Sequence, residues 1–170
     1  MTNRSDRDFD EFAVSAWPRL RWSAYLLCGD HHLAEDLAQA ALARTYSRWR
    51  HVRHADALAY TRKVLVNLNL DRVRRKRPVE VSDLVTDRPS VDRGSCVADD
   101  RDEIVRLLSG LTERERRVVV LRHYFDLSEA AVAAEIGIAP GTVKSTLSRA
   151  LAKLRVSAAE AAPVSAGGTP

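Results

Sequence analysis

The side chains in this sequence that are best suited to chemistry are basic, and they fall into two groups. Residues 43–77 carry eleven bases against two acids, with the aromatic residues Trp49 and Tyr60 placed among them. The second group follows Pro140, where no acid occurs before Arg155. Dense positive charge attracts polyanions, and aromatic rings placed among the basic residues can stack on nucleobases. The pattern predicts contact with a nucleic acid, and the alternative for the first group is a solvated helical face.

Patterns for other kinds of chemistry are absent. Cys28 and Cys96 form no metal-ligand cluster with nearby Cys or His, and no glycine-rich phosphate loop occurs. We therefore predict no enzyme activity, no catalytic residue, no metal and no cofactor. The segment after Met1 lacks the apolar core of a signal peptide, and no apolar run approaches the ~20 residues that span a bilayer. These features predict a cytoplasmic protein that does not associate with membranes.

The apolar pattern predicts an all-helical first lobe over residues 6–78. Apolar residues recur at spacings of three and four, on one face of a helix, at Phe9, Phe12, Ala16, Leu20, Ala24 and Leu27. The break at Cys28-Gly29-Asp30 ends this helix, and Asp30 can cap a second one. A third helix is predicted from about residue 56 to residue 77, because Pro78 cannot continue it.

Two segments lack helical periodicity. Residues 79–103 carry eight acids against three bases and contain Pro89 and Gly94, which predicts a flexible acidic linker. Residues 157–170 consist mainly of Ala, Pro, Gly and Ser, which predicts a disordered tail. The sequence therefore predicts two small helical domains joined by a linker.

The second lobe, predicted over residues 104–156, has the pattern of a helix-turn-helix. Thr112 and Glu115 have capping-box spacing, and Ser128 can cap the next helix. Ala133 lies four positions before the turn residue Gly137, which lets two helices cross closely. The last helix is predicted to face inward with Val143, Leu147, Leu151 and Leu154, and outward with Lys144, Ser145, Ser148 and Arg149. Such an outward face is typical of a major-groove reader, and the alternative is an ordinary surface helix.

Three stretches of the sequence carry a family resemblance. They read LAEDLAQAALARTYSRWR (33–50), AYTRKVLVNLNLDRVRRKR (59–77) and LTERERRVVVLRHYFDLSEAAVAAEIGIAPGTVKSTLSRALAKLR (111–155). Together they resemble the extracytoplasmic-function sigma factors of bacterial RNA polymerase, close to the actinobacterial SigE-like group. The resemblance covers roughly residues 9–77 and 104–156. It implies sigma region 2 in the first lobe and sigma region 4 in the second, with the intermediate region 3 absent.

The resemblance also assigns roles to single residues. On the second helix, Asp36 and Gln39 match positions that bind core RNA polymerase, whereas Asp36 taken alone fits an ordinary surface acid. On the third helix, Asn67 matches a position that holds a flipped base of the melted minus-ten element, and Asp71 lies one turn further on. Taken alone, Asn67 fits a buried polar group bonded to the backbone equally well.

Two sets of promoter contacts are further implied by the resemblance. Phosphates of the downstream DNA are expected to bind Arg62, Lys63, Arg72, Arg74, Arg75, Lys76 and Arg77. The minus-thirty-five element is expected to bind Lys144, Ser145, Ser148 and Arg149. The sequence leaves open whether an anti-sigma factor is an additional partner.

The sequence departs from the family pattern at two places. Many relatives have Glu directly after the Gln of the "DLxQ" motif, where this chain has Ala40, which puts one polymerase contact in doubt. The SigE-like group often has aromatic residues just before its arginine run, where this chain has Asp71-Arg72-Val73. Stacking on unpaired bases is then expected to fall to Trp49, Tyr60 or His54, or strand opening is weaker.

The function predicted from these features is that of a sigma factor, which binds core RNA polymerase and directs promoter-specific initiation. The alternative is a helix-turn-helix regulator that binds DNA without being a polymerase subunit. Such regulators carry an N-terminal ligand or receiver domain, usually with a parallel sheet. A serine recombinase with a DNA-binding tail would need an α/β domain. The helical, basic first lobe argues against both classes.

Overall fold

A computed structural model describes residues 4–76 and 100–161 of the chain. The chain divides into two compact units, Met1–Thr86 and Asp87–Pro170. Every regular element in the described ranges is a helix, and no strand occurs in them. The all-α prediction is therefore confirmed. None of the helices in these ranges has the length and apolar character needed to cross a membrane.

The first unit contains three long helices, α1 (Arg4–Cys28), α2 (His31–Tyr46) and α3 (Ala57–Lys76). The break between α1 and α2 is where the sequence predicts it. Gly29 adopts a φ of 72°, in the left-handed region that favours glycine. Asp30 accepts a hydrogen bond from the backbone N–H of Leu33 at 2.8 Å and so caps α2. Two short 3-10 turns, Trp49–His51 and His54–Asp56, connect α2 to α3.

Packing among the three helices forms the core of this unit. Leu20 and Leu27 of α1, together with Leu65 and Val66 of α3, are almost completely buried. The hydroxyl oxygens of Thr45 on α2 and Thr61 on α3 lie 3.0 Å apart and are also buried. These contacts fix α3 against its neighbours, so that the opposite side of α3 faces solvent.

Trp49 belongs to this core, and the expectation that it can stack on unpaired bases is wrong. Its side chain is only 4% exposed. The indole lies 5.1 Å from the ring of Phe9, edge to face, and 5.1 Å, stacked, from that of Phe12. His54 is exposed and Tyr60 is half-buried. Trp49 is buried because α1 supplies two aromatic rings that remove its large apolar surface from water.

The second unit contains α4 (Asp100–Ser109), α5 (Glu113–Val119), α6 (Glu129–Ile136) and α7 (Pro140–Ala161). A π-helical turn, Val120–Tyr124, continues α5. Thr112 and Glu115 form the predicted capping box at the start of α5. The Ser128 hydroxyl accepts the backbone N–H of Ala131 at 3.2 Å and caps α6, as predicted.

Helices extend further than the sequence pattern indicated at two places. α4 begins at Asp100, inside the range predicted as linker, because the acidic residues Asp102 and Glu103 near its start favour a helix N-terminus. α7 continues to Ala161, five residues into the predicted tail, because its last turns are rich in alanine. The rest of the predicted linker and of the predicted tail lies outside the described residues.

The inward face of α7 also differs from the prediction. Val143 is buried as expected, but Leu147, Leu151 and Leu154 are only half-buried. Besides Val143, the fully buried positions of this face are occupied by the small residues Thr146 and Ala150. Small side chains allow α7 to lie close to α5 and α6, which both contact it.

Glu115 joins two helices of the second unit. Its carboxylate oxygen Oε2 accepts the backbone N–H of Thr112 at 3.0 Å and the Nζ of Lys153, on α7, at 2.8 Å. Burial alone would raise the pKa of Glu115, but the Lys153 ammonium and the Thr112 N–H outweigh burial and hold the pKa below its ordinary value. The ionised carboxylate therefore stabilises the contact between α7 and the start of α5.

We expect the variant Glu115→Gln to lower the free energy of unfolding of the second unit by about 1 kcal/mol at neutral pH. The amide can keep the bond to Thr112, but it loses the ion pair with the half-exposed Lys153. Because the folded-state pKa is lowered, this contribution is fully present above the unfolded-state pKa of about 4.3 and is lost as the pH falls through the folded-state value. Urea unfolding followed by far-UV circular dichroism at stepwise lower pH measures it.

Glu113→Gln is the matched control, because it removes the same charge from the same first turn of α5. We expect the control to be less destabilising than Glu115→Gln at neutral pH. Equal losses in the two variants, or a difference that persists in strong acid, would contradict the role given to the bond with Lys153.

Candidate nucleic-acid interface

The turn between α6 and α7 has the geometry of a helix-turn-helix. Gly137 caps the C-terminus of α6, and its φ of 72° and ψ of 40° are left-handed. The backbone N–H groups of Gly137 and Ile138 donate to the carbonyl oxygen of Ala133 at 2.9 and 3.1 Å. Only three residues separate α6 from α7, and Ala133 and Val143 are buried on either side of the turn. The predicted spacing of Ala133 and Gly137 is thus explained by a tight crossing of two helices.

The four residues predicted to read the minus-thirty-five element, here also called the upstream element, occupy one exposed face of α7. This face, here called the recognition face, consists of Lys144, Ser145, Ser148 and Arg149. Their spacing of one, three and one positions keeps them on the same side of a helix. The Nε of Arg149 donates to the carbonyl oxygen of Ser145, one turn back, at 3.4 Å. The guanidinium therefore leans toward the start of α7.

Backbone is uncovered at the start of α7. Gly141 is exposed, and a side chain added there would meet no other atom within 4 Å. The recognition face follows within the next three turns, and no acidic residue occurs from Pro140 to Arg155. A helix N-terminus carries partial positive charge, so the whole surface is suited to a polyanion.

A second exposed face runs along α3 in the first unit. This face, here called the α3 face, consists of Lys63, Asn67, Asp71 and Arg74, at spacings of four, four and three. Arg75 is exposed beside it. The side chain of Asn67 is therefore available for contact and is not a buried group bonded to the backbone.

Two of the predicted phosphate-binding residues lie off the α3 face. Arg62 and Arg72 are half-buried on its flanks. The Nε and Nη2 of Arg72 donate to the Oδ1 of Asn69 at 3.3 and 3.1 Å. Lys76 is the last described residue of α3, and Arg77 lies outside the described residues.

Asn69 was not singled out from the sequence, yet it is the buried asparagine of α3, with 1% of its surface exposed. The signal that could have found it is its position three and four residues after Val66 and Leu65, which are core residues. A polar residue on the apolar side of a helix needs a partner, and Arg72 lies three positions further on.

The predicted polymerase-binding residues lie on the exposed side of α2. Asp36 and Gln39 are both exposed and are three positions apart, so they share a face. Ala40, where many relatives have Glu, is half-buried. Beside this face, Glu35 forms an ion pair with Arg21 of α1 at 3.0 Å.

A helix-turn-helix unit combined with a second, basic helical unit defines a DNA-binding transcription factor, and comparison with known proteins specifies which kind. The family model "Sigma-70 region 2" matches residues 14–79, and "Sigma-70, region 4" matches residues 101–154. Each match covers one of the two units. The chain therefore belongs to the sigma-70 family and, within it, to the extracytoplasmic-function sigma factors of RNA polymerase.

Individual relatives agree with this assignment. The chain is 40% identical to the RNA polymerase sigma-E factor of Streptomyces avermitilis over 151 residues, which is 87% of this chain and 83% of the relative. It is 34% identical to the ECF RNA polymerase sigma factor SigL of Mycobacterium tuberculosis, over 89% of this chain and 87% of the relative.

A solved structure has the same fold. It is the sigma factor RpoE of Bartonella quintana, determined in complex with the anti-sigma factor NepR. The TM-score is 0.67 at 23% sequence identity, and the alignment covers 88% of this chain and 96% of the other. The sequence-based prediction of a sigma factor with regions 2 and 4 is confirmed, and the sigma-70 family is one of non-catalytic initiation factors.

Proposed function

We propose that this sigma factor reads its promoter with the two exposed faces defined above. The recognition face of α7 contacts bases and phosphates of the upstream element in the major groove. The α3 face contacts the minus-ten element, here also called the downstream element, after its strands separate. Asn67 and Asp71 face an unpaired base. Phosphates are contacted by Lys63, Arg74 and Arg75. One observation carries the proposal. Each unit has a helix with basic and polar residues on an exposed face, while the opposite side of the same helix packs into the core.

The side chains on these faces suit the two tasks. Lys144 and Arg149 can reach base edges or phosphates, and the short Ser145 and Ser148 let the helix approach the groove closely. The amide of Asn67 offers both a donor and an acceptor, which matches the edge of a flipped base. Arg74 and Arg75 carry charge without sequence preference, so their contribution is expected to weaken with added salt.

Core RNA polymerase is the proposed partner of the α2 face formed by Asp36 and Gln39. The chain itself carries out no reaction in this proposal, because nucleotide addition belongs to the polymerase. The corresponding location is the cytoplasm, where polymerase and chromosome are found together. The relative from Bartonella quintana is described with an anti-sigma factor, and a protein of that class is proposed as an additional partner. A free-standing helix-turn-helix regulator is not favoured, because both units match sigma-70 regions.

The experiment that tests this proposal measures promoter binding with and without core polymerase. A randomised promoter library is incubated with the chain alone, or with the chain and core polymerase from a Streptomyces species, and bound DNA is sequenced. We expect the chain alone to bind duplex DNA weakly and with little specificity at physiological salt, because the downstream bases are paired in duplex DNA. With core, we expect two enriched elements and run-off transcripts from the selected sites. Tight, footprinted binding by the chain alone would favour the free-standing regulator.

A further inference from the structure

The flank of α3 contains a guanidinium group that is held by a buried amide. Asn69 is 1% exposed, and its Oδ1 accepts two hydrogen bonds from Arg72, from Nε at 3.3 Å and from Nη2 at 3.1 Å. The side chain of Arg72 is half-buried. Its neighbours Arg74 and Arg75 are exposed. Arg72 therefore differs from the adjacent arginines in having a fixed orientation.

The two hydrogen bonds use one edge of the guanidinium, and within residues 4–76 and 100–161 no hydrogen bond engages the other edge. An arginine side chain carries five N–H donors in one plane. Nε and the neighbouring N–H of Nη2 form one edge, which points at Asn69. The remaining N–H groups of Nη1 and Nη2 form the outer edge, which has the parallel geometry that matches two oxygens of a phosphate.

We propose that Asn69 is a positioning residue, which holds Arg72 so that its outer edge binds one backbone phosphate of the downstream promoter strand. The inference rests on the proposed function of α3 in contacting that strand. An exposed arginine such as Arg74 must lose rotamer freedom when it binds, whereas Arg72 is already ordered before DNA arrives. Among the phosphate contacts of Arg72, Arg74 and Arg75, that of Arg72 is accordingly the strongest. It also fixes the position of α3 along the DNA strand.

A phosphate suits this group better than a base. The outer edge of Arg72 offers only donors, and a phosphate offers acceptors irrespective of sequence. Half-burial of the side chain reduces the area of the guanidinium plane that could stack on a ring. Stacking of Arg72 on an unpaired base is the competing outcome of the test.

The test uses the holoenzyme, formed from the full chain and core polymerase, and a promoter with a preformed bubble. Affinity is measured against salt concentration for Asn69→Leu, Arg72→Lys, Arg72→Ala and the corresponding double variants. We expect Asn69→Leu and Arg72→Lys each to weaken binding roughly tenfold, because each loses the ordered, two-bonded phosphate contact. In the Arg72→Ala background, Asn69→Leu is expected to add nothing. Arg72→Ala should reduce the slope of log affinity against log salt by about 0.7.

Two further measurements separate positioning from a merely structural role. Asn69→Asp keeps an acceptor for Arg72 and is expected to retain the wild-type affinity for the bubble promoter. Asn69→Leu lacks the acceptor and is expected to lose affinity. Should Asn69→Leu fail to fold by circular dichroism, Arg72→Lys still tests the oriented phosphate contact, because it leaves the buried Asn69 in place. Arg75→Ala, an exposed neighbour with the same charge change, is expected to weaken binding less than Arg72→Ala.

The outcomes distinguish this inference from the proposed function. If the wild-type holoenzyme does not bind the bubble promoter, the role of α3 itself is wrong. If it binds, but Asn69→Leu weakens binding as much in the Arg72→Ala background as in the wild type, positioning is overturned. A loss on Arg72→Ala that depends on the bases present and leaves the salt slope unchanged would assign Arg72 to base stacking.

Discussion

The double variant Asp36→Arg, Gln39→Ala is expected to weaken binding to core polymerase by roughly 100-fold, and with it to abolish core-dependent promoter binding. Both side chains lie on the exposed side of α2, so neither supports the core of the first unit. Reversing the charge at Asp36 would place a positive side chain opposite a polymerase group that had faced a negative one. Such a like-charge contact commonly costs several kcal/mol of binding free energy. Titration of labelled chain with core polymerase measures the affinity, and run-off transcription measures the consequence.

Glu11→Arg is the control for this variant. Glu11 is exposed on α1, so the substitution makes the same charge reversal elsewhere on the first unit. We expect it to leave core affinity within a few fold of the wild-type value, because exposed charges away from an interface contribute little. DNA affinity of the second unit should be unchanged in both variants. Wild-type transcription from the double variant would show that the α2 face does not bind the polymerase.

On the second unit, Lys144→Ala and Arg149→Ala are each expected to weaken binding of the upstream element by about 1–3 kcal/mol. The geometry that supports this expectation is the exposure of both side chains on the recognition face, together with the bond that directs Arg149 toward the start of α7. If Arg149 contacts a guanine edge, the loss should be largest on the selected sequence and small on sequences that lack that base. Holoenzyme binding to matched and mismatched upstream elements measures both effects.

Arg155→Ala is the control on the same helix. It removes one positive charge from an exposed position of α7, beyond the recognition face. General attraction to DNA should fall similarly in Arg155→Ala and Arg149→Ala, and only Arg149→Ala should lose discrimination between sequences. Unchanged transcription in Arg149→Ala, or equal loss of discrimination in both variants, would mean that another face of α7 enters the groove.

Features that depend on a few neighbouring residues could be predicted from the sequence. The Asp30 and Ser128 caps, the capping box of Thr112 and Glu115, and the left-handed Gly137 all follow from local backbone chemistry. The family resemblance was also recognisable, because its motifs occupy most of both units. Helix ends are harder to predict, because the acidic residues near 100 and the alanine-rich residues near 160 fit a linker and a tail as well as a helix.

Features that depend on packing between helices could not be predicted in the same way. Trp49 lies in a basic segment, and the rings of Phe9 and Phe12 from α1 pack against it and contribute to its burial. On α7, Thr146 and Ala150 are fully buried and three leucines are not, which depends on how closely the neighbouring helices approach. Asn69 acquires its meaning only when its side chain is seen to bond to Arg72. A periodic pattern identifies the face of a helix that is buried. It does not identify which residues of that face the neighbouring helix contacts.

The burial of Trp49 among aromatic rings makes the two units spectroscopically distinguishable. The three tryptophans of the chain, Trp17, Trp22 and Trp49, all belong to the first unit, and residues 87–170 contain none. Indole emission shifts to longer wavelength when the ring becomes exposed to water, so unfolding of the first unit should produce a red shift. Far-UV dichroism follows the helices of both units. Recorded together on one sample, the two signals assign each step of unfolding to its own unit, without a label and without cutting the chain.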